Sequence, residues 1–352
     1  LSALRKNRAV RPLVSVVALK CVPDNVRCAA IRALCAILKG VRCPCDTATK
    51  LILALLRIGS TAMDSSPLKL EVIEALRVLS SDPTVALLMP QLHVDNCVID
   101  MTMTLLGSHE YALAVATLFA TLAEKNVLFA RDRVVRILLC LMNPIKTTKV
   151  TKTEEEDILV WEQCCRAFCV LLKQSPSVVT STIERLFKAF VSLMCHHGMH
   201  PRLIGLEMEC FMSFQKLKPS LYVSSITSDE AKTMMVFFLE SLSLVSDAGA
   251  IDACLDLIAA QINNAISTTK VTAYRTAFVS NGGVSRVIRF AADRDTLQLR
   301  CRVCNILLSL IYTGLVDSVW KCSESINFAV ECLRNYPFDG LVCDKACRIL
   351  KA

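Results

Sequence analysis

The chain has 352 residues, a formal net charge of +8, 53% hydrophobic residues and 20% charged residues. That length predicts two or three ordinary domains or one long array of repeats. Charged residues interrupt every apolar run well before the ~18 residues that a transmembrane helix needs, so we expect no membrane span. The moderate positive charge permits an acidic partner without requiring one.

Glycine and proline are scarce, at 10 and 11 residues, and Leu, Ala, Val and Ile dominate. This composition favours helices buried on several sides over sheets with many turns. The 19 cysteines are an odd number, and most lie in apolar helical runs, where a free thiol packs as a small hydrophobe. We therefore predict an all-α protein in a reducing, intracellular compartment.

An internal repeat organises the chain from its first predicted helices onward. RALCAILK from Arg32 and RAFCVLLK from Arg166 match in residue type at every position. Six further octets fit the same frame, so that eight octets begin at residues 32, 74, 116, 166, 209, 252, 302 and 345. The spacings are 42, 42, 50, 43, 43, 50 and 43 residues. This near-constant period of 42–43 residues predicts a repeat array.

Two polar segments account for the longer spacings: KTTKVTKTEEED at 146–157 and NNAISTTKVTA at 263–273. Insertions in repeats usually map to loops, so we expect both to be loop extensions. The run Glu154–Asp157 has a second interpretation, in which its carboxylates open a helix and complement the helix dipole. The solvated loop is the simpler of the two.

Polar residues form one narrow stripe along the octet segments. In the segment 295–311 they follow the i, i+4, i+7, i+11 spacing of one helix face, at Gln298, Arg302, Asn305 and Ser309. The rest of that segment is mainly Leu, Ile, Val and Cys, so neighbouring helices must cover most of its circumference. Another apolar segment precedes each octet, which predicts two principal helices per repeat, as at 47–58, 127–142, 178–194 and 232–245.

The period, the helix pairing and the small residues of the second helix resemble the armadillo/HEAT superfamily. The resemblance covers the whole chain as a pattern and is strongest at 281–311, NGGVSRVIRFAADRDTLQLRCRVCNILLSLI. It implies one right-handed α-solenoid of about eight armadillo/HEAT-like repeats over residues 1–352, with the second helices lining a concave groove that binds other macromolecules.

One feature departs from the armadillo proteins that bind nuclear localisation signals, which carry a Trp and an Asn four residues apart. Asn305 is present, but Cys301 stands four residues before it. Neither Trp161 nor Trp320 has an Asn four residues later. The departure argues against that function, and it favours a cytoplasmic or cytoskeletal location over a nuclear one.

No G-x-S-x-G, P-loop, H-E-x-x-H or dinucleotide fingerprint occurs in the chain. We therefore expect no enzyme activity, no cofactor and no small-molecule substrate. The leading hypothesis is a scaffold or adaptor that holds an extended peptide of mixed charge, or a neighbouring subunit, in the groove. The candidate groove residues are Arg32, Arg77, Arg166, Glu209, Gln298, Arg302, Asn305 and Arg348.

Two alternatives stay open. A nucleic-acid-binding solenoid would use the basic residues of the seventh repeat, although few aromatic residues interleave with them for base stacking. That basic patch is Arg286, Arg289, Arg294 and Arg300. The array could also be the regulatory part of a larger enzyme. Because the last octet, KACRILKA, lacks a polar capping helix, we expect the chain to continue or another subunit to cover this end.

The cluster Cys195, His196, His197 and His200 resembles half of a zinc site. Zinc needs about four N or S ligands, and adjacent histidines on a helix point about 100° apart, so both rarely reach one ion. In the repeat frame this segment is the turn between two helices, with Pro201 in the first turn of the second. Pro23, Pro67 and Pro337 precede other octets at a similar distance. We expect a turn and no metal.

Overall fold

The computed structural model describes residues 2–19, 21–39, 43–61, 66–105, 108–125, 127, 131–142, 154–174, 182–197, 200–263 and 269–352. Every regular element in these ranges is a helix, so the all-α prediction is confirmed. The chain divides into two compact units, Leu1–Thr182 and Ile183–Ala352. Each unit is described by itself, and a single array over the whole chain stays a prediction.

The first unit contains nine helices among the described residues. They are α1 (Ser2–Ala18), α2 (Asp24–Leu38), α3 (Cys45–Thr61), α4 (Ser66–Ser80), the single turn α5 (Pro83–Ala86), α6 (Val94–Leu105), α7 (His109–Glu124), α8 (Arg131–Met142) and α9 (Glu154–Gln174).

The second unit contains eleven helices among the residues that are described. They are α10 (Ile183–His197), α11 (Pro201–Leu217), α12 (Leu221–Ser224), α13 (Ser228–Leu244), α14 (Ala248–Ile262), α15 (Thr269–Ser280), α16 (Gly283–Arg294), α17 (Leu297–Tyr312), α18 (Val316–Trp320), α19 (Ser323–Asn335) and α20 (Gly340–Lys351). None of the described helices in either unit is both long and apolar enough to cross a membrane.

Each of the eight octets falls in one helix, although three of them extend one residue past the helix end, at Lys39, Ser81 and Ala352. We call these helices the octet helices: α2, α4, α7 and α9 in the first unit, and α11, α14, α17 and α20 in the second. Consecutive octet helices pack against each other within each unit, α2 on α4, α4 on α7 and α7 on α9. The same order holds in the second unit, where α11 packs on α14, α14 on α17 and α17 on α20.

The helix that precedes each octet helix, its companion helix, packs in the same order. The companions α1, α3, α6 and α8 contact one another consecutively in the first unit, as α10, α13, α16 and α19 do in the second. Each companion also packs on its own octet helix. Each unit therefore contains four helix pairs, while α5, α12, α15 and α18 lie outside these pairs and α15 packs on companion helix α13.

Small and aromatic residues fill the space between the helices. Ala112, Ala114, Ala116 and Ala120 of α7 are all buried, and their small side chains let neighbouring helices approach closely. In the second unit the Phe187 ring lies 4.9 Å from Tyr222 and 5.5 Å from Phe214, in edge-to-face geometry. Such pairs add about 0.5–1.5 kcal/mol each beyond the area that they bury.

Both predicted loop extensions are partly helical. Residues 146–153 lie outside the described residues, but Glu154–Asp157 form the first turn of α9, so the loop interpretation of that run is wrong. Its carboxylates stand where the helix dipole stabilises negative charge. Residues 264–268 are also outside the described part, whereas Asn263 caps α14 and the Thr269–Ala273 segment belongs to α15.

The histidine-rich segment is predicted to be a turn between two helices, but His196 and His197 belong to the end of α10, so the prediction is wrong for these two residues. Helix α10 ends at His197, and Pro201 is the first residue of α11. His200 caps α11, and its Nδ1 accepts a hydrogen bond from the Arg202 backbone N–H at 3.4 Å. Residues 198 and 199 are not among those described.

The other prolines only partly share this role. Pro67 lies in the first turn of α4, and Pro23 is the N-cap residue of α2. Pro337 stands before α20, whose N-cap is Asp339, so the expectation of a first-turn proline is wrong in that repeat. Asp339 takes over the capping by accepting a hydrogen bond from the Val342 N–H at 2.8 Å.

Candidate binding surface on the octet helices

In the first unit, three candidate groove residues lie on octet helices and each of them is paired. The Arg32 side chain is 66% exposed, and its Nε donates to Glu71 of α4 at 2.5 Å. This hydrogen bond raises the pKa of Arg32. Arg77 pairs with Glu74 of its own helix at 2.7 Å. The polar stripe of α2 is thus tied to the next octet helix by an ion pair.

Arg166 repeats this arrangement on α9. It pairs with Glu162 one turn earlier at 3.2 Å and approaches Glu124, at the end of α7, at 4.0 Å. Its side chain remains 44% exposed. Glu209 of α11, the corresponding residue in the second unit, is half-buried.

In the second unit, Gln298 and Arg302 of α17 both contact α14. The Gln298 amide donates to Asp252 at 3.0 Å. Arg302 contacts Asp252 at 3.4 Å and forms a closer ion pair with Asp256. Arg302 is only 23% exposed, so its charge is largely satisfied within the protein.

Asn305 and Arg348 are the most accessible candidates in the second unit. Asn305 is exposed, and its side-chain amide has no hydrogen-bond partner among the described residues. Arg348 of α20 is 57% exposed and contacts Asp344 at 3.0 Å. A hydrogen bond with Tyr312, itself 67% exposed, raises the pKa of Arg348. Together these side chains offer neutral and charged hydrogen-bonding groups on adjacent octet helices.

Four acidic partners that lie on a neighbouring octet helix were not among the predicted site residues: Glu71, Glu124, Asp252 and Asp256. A signal for one of them was present in the sequence. Asp252 and Arg302 are both the first residue of an octet, and they come from consecutive repeats. Opposite charges at equivalent positions of helices that pack side by side predict an ion pair.

The structure does not bring the predicted basic patch together as one surface. Arg300 is 3% exposed, so its inclusion in that patch is wrong. Its guanidinium pairs with Asp295 at 2.6 Å and Glu331 at 3.6 Å. It also lies 5.4 Å from the Phe328 ring centroid, a cation–π distance. Arg300 therefore joins α17 to side chains of α19.

The remaining members of the patch lie on α16. Arg289 is exposed and forms two hydrogen bonds with Glu324, at 2.7 and 2.9 Å, so its charge is balanced. Arg294 lies 4.8 Å from the centroid of the Phe290 ring. Arg286 is exposed and has no partner among the described residues.

The weak metal candidates lie close in sequence, but only part of the cluster can be described. Cys195 is exposed, but partial desolvation of its thiol raises the pKa of that group. His200 uses Nδ1 for helix capping. The side chains of His196 and His197 lie outside the described residues. Within the described residues no group of three His, Cys, Asp or Glu could hold a metal ion.

The CRVC segment packs in the core at Cys304, as expected for a cysteine in an apolar helix. Cys304 is fully buried and forms a hydrogen bond with Cys332 of α19. That bond, assisted by Arg300, lowers the pKa of the Cys332 thiol. Cys301 is half-buried, and Lys345 of α20 donates to its sulfur at 2.9 Å.

Comparison with known proteins adds information on the fold. No protein-family model matches the chain, and no curated protein is similar to it. A similar solved structure is the crystal structure of an engineered protein, a target of the Northeast Structural Genomics Consortium, at 14% identity and a TM-score of 0.51. The match covers 97% of this chain and 88% of that one. The likeness shows the fold alone.

Proposed function

We propose that the chain is a non-enzymatic α-solenoid of armadillo/HEAT-like repeats that binds another protein on its octet helices. The consecutive packing of these helices in each unit, with polar stripe residues exposed beside one another, is the observation that supports the proposal. Repeat proteins of this kind bind partners along the extended surface that their stacked helices create.

The charges of the surface favour an extended peptide, or a subunit segment, of mixed charge. Arg32, Arg166 and Arg348 each keep an acidic neighbour, so neither sign dominates the surface. Exposed ion pairs of this kind contribute only ~0–1 kcal/mol, so a partner can exchange them for its own charges at little cost. Asn305 and Tyr312 add neutral groups that suit the backbone of an extended chain.

The cysteines support a reducing, intracellular location, cytoplasmic or cytoskeletal. All 19 are free thiols, and most of those on the octet helices are buried or half-buried. The nucleic-acid alternative has less support, because Arg300 is buried and Arg289 is neutralised by Glu324.

Affinity capture from native cell extract, followed by crosslinking mass spectrometry, tests the proposal. A specific protein should crosslink to the octet helices, and its capture should fall with the Arg348→Glu and Asn305→Asp variants. The matched control is Arg286→Glu, because this exposed arginine lies on companion helix α16. Equal capture by all variants would remove the octet surface from consideration. Salt-sensitive RNA binding that depends on Arg286 would favour the alternative.

A further inference from the structure

A cavity in the first unit lies apart from the octet surface, between α1, α2 and α3. Its volume is about 250 Å³. Pockets for drug-sized ligands usually measure about 300–1,000 Å³, so this one suits a group the size of one amino-acid residue. Its lining residues are Ala18, Arg27, Leu53, Ala54, Arg57, Ile58 and Thr61.

Both charged groups in the lining are arginines, and no carboxylate is among the lining residues. Arg57 is exposed, and its guanidinium has no partner among the described residues. Arg27 is held in place, since its side chain donates to the Leu19 carbonyl at 2.7 Å and to Asp24 at 3.4 Å. Its buried Nε–H has no hydrogen-bond partner. Because Asp24 balances the charge of Arg27, the guanidinium of Arg57 supplies the unpaired positive charge at the cavity.

The rest of the wall is largely apolar. Ala18, Leu53, Ala54 and Ile58 supply it, and Leu53 is 50% exposed although it lies within a helix that is otherwise well packed. The Thr61 hydroxyl donates to the Arg57 carbonyl at 2.8 Å and is therefore already satisfied. An occupant would cover apolar surface that now faces water.

We propose that this cavity binds a carboxylate attached to a short aliphatic group. The guanidinium of Arg57 matches a carboxylate through two parallel hydrogen bonds, and the adjacent aliphatic wall matches a side chain of leucine size. The C-terminal residue of a peptide and a free branched-chain acid both have this chemistry. The site lies on α2 and companion helices α1 and α3, so it is independent of the function proposed for the octet surface.

Methyl NMR of the full chain, with Leu and Ile methyl groups labelled, tests the proposal. The probes are N-acetyl-leucine, which imitates a peptide C-terminus, and 4-methylpentanoate, a free acid. N-acetyl-leucinamide has the same aliphatic group without the carboxylate, so it tests whether the charge is needed. Inorganic phosphate has negative charge without an aliphatic group, so it tests whether the apolar wall contributes. The expected result is saturable shifts of the Leu53 and Ile58 methyl signals with either carboxylate, and which of the two binds more tightly identifies the source.

Arg57→Gln should weaken binding by at least about tenfold, because it removes a charge-assisted pair of hydrogen bonds. Ala54→Met should weaken binding by filling the cavity, while keeping Arg57. The matched control is Arg136→Gln, another exposed arginine of the first unit. Arg27 is left intact because it also ties α2 to the end of α1.

The proposal would be overturned by the absence of any shift with either carboxylate into the tens of millimolar, by equal binding of the leucinamide, or by unchanged binding of the carboxylates to the Arg57→Gln variant. Shifts of the same size with phosphate would also overturn it, because they would indicate a bare anion site. Circular dichroism of each variant verifies that the helices are intact.

Discussion

Arg302 on α17 contacts Asp252 on α14, and both residues are the first of their octets in consecutive repeats. The repeat frame therefore aligns oppositely charged side chains across a helix–helix contact. Asp256, one turn later on α14, forms a second ion pair with the same arginine. The polar stripe has a structural role in joining repeats, in addition to any role in binding.

A double-mutant cycle on Arg302 and Asp252 should show this coupling. We expect Arg302→Ala and Asp252→Ala to be non-additive by about 0.5–1 kcal/mol in the free energy of unfolding, as for other partly exposed pairs. Urea denaturation of the two single variants and the double variant measures it. The coupling should shrink at high salt, since screening weakens exposed pairs. Strict additivity at low salt would contradict a direct interaction.

The all-α class and the positions of the octet helices could be predicted from the sequence because the repeat is local and periodic. The octets from Arg32 to Lys345 mark helices whose buried face recurs every repeat, and no long-range information is needed to find them. The predicted start of α9 was wrong because the charged run Glu154–Asp157 was interpreted as a loop. Carboxylates also stabilise the first turn of a helix, and this run forms the first turn of α9.

The candidate site was harder to predict because pairing depends on neighbours that are distant in sequence. Arg300 and Arg302 look alike in the sequence, and each pairs with two carboxylates. Only Arg300 is buried, at 3% exposure, and lies against the ring of Phe328, 28 residues later. The helical period assigns each residue to one face of its helix. It does not show which neighbouring segment covers that face, as the turn at Asp295 and helix α19 cover Arg300.

Arg300→Ala should destabilise the second unit by about 2–4 kcal/mol, because it removes a buried side chain, its ion pairs and its cation–π contact. Arg300→Lys should recover only part of this, since an ammonium cannot reproduce the planar contacts of the guanidinium. Arg286→Ala is the matched control and should stay within about 0.5 kcal/mol. Thermal and urea unfolding provide the measurement, and equal losses for Arg286 and Arg300 would contradict the difference in burial.

Glu207 on α11 should make the stability depend on pH. Its side chain is 1% exposed, and burial raises the pKa of its carboxyl to about 8, from 4.5 for the exposed group. The folded state therefore keeps a proton that the unfolded state releases. The stabilisation is complete below the unfolded pKa of 4.5 and is lost as pH rises through 8.

The free energy of unfolding of the Glu207→Gln variant should depend less on pH over this range than that of the natural chain. The two slopes should differ by up to about 1.4 kcal/mol per pH unit. It should also be the more stable of the two at alkaline pH, because a buried ionised carboxylate is no longer required. Urea unfolding at several pH values between acid and alkaline conditions measures the difference. Glu110→Gln, at an exposed glutamate, controls for the loss of a surface charge. Parallel pH curves for Glu207→Gln and the natural chain would contradict the effect of burial.

Thiol labelling should separate the cysteines by exposure. Five are exposed and should react with a disulfide reagent in the native state: Cys21, Cys45, Cys140, Cys195 and Cys347. Among these, Cys195 should react more slowly at neutral pH than Cys347, because partial desolvation raises the pKa of its thiol and lowers the fraction of thiolate. Buried thiols such as Cys254, whose pKa burial also raises, should react only after unfolding. Mass spectrometry of the labelled peptides identifies each site, and rapid native labelling of Cys254 would show that α14 is not packed as described.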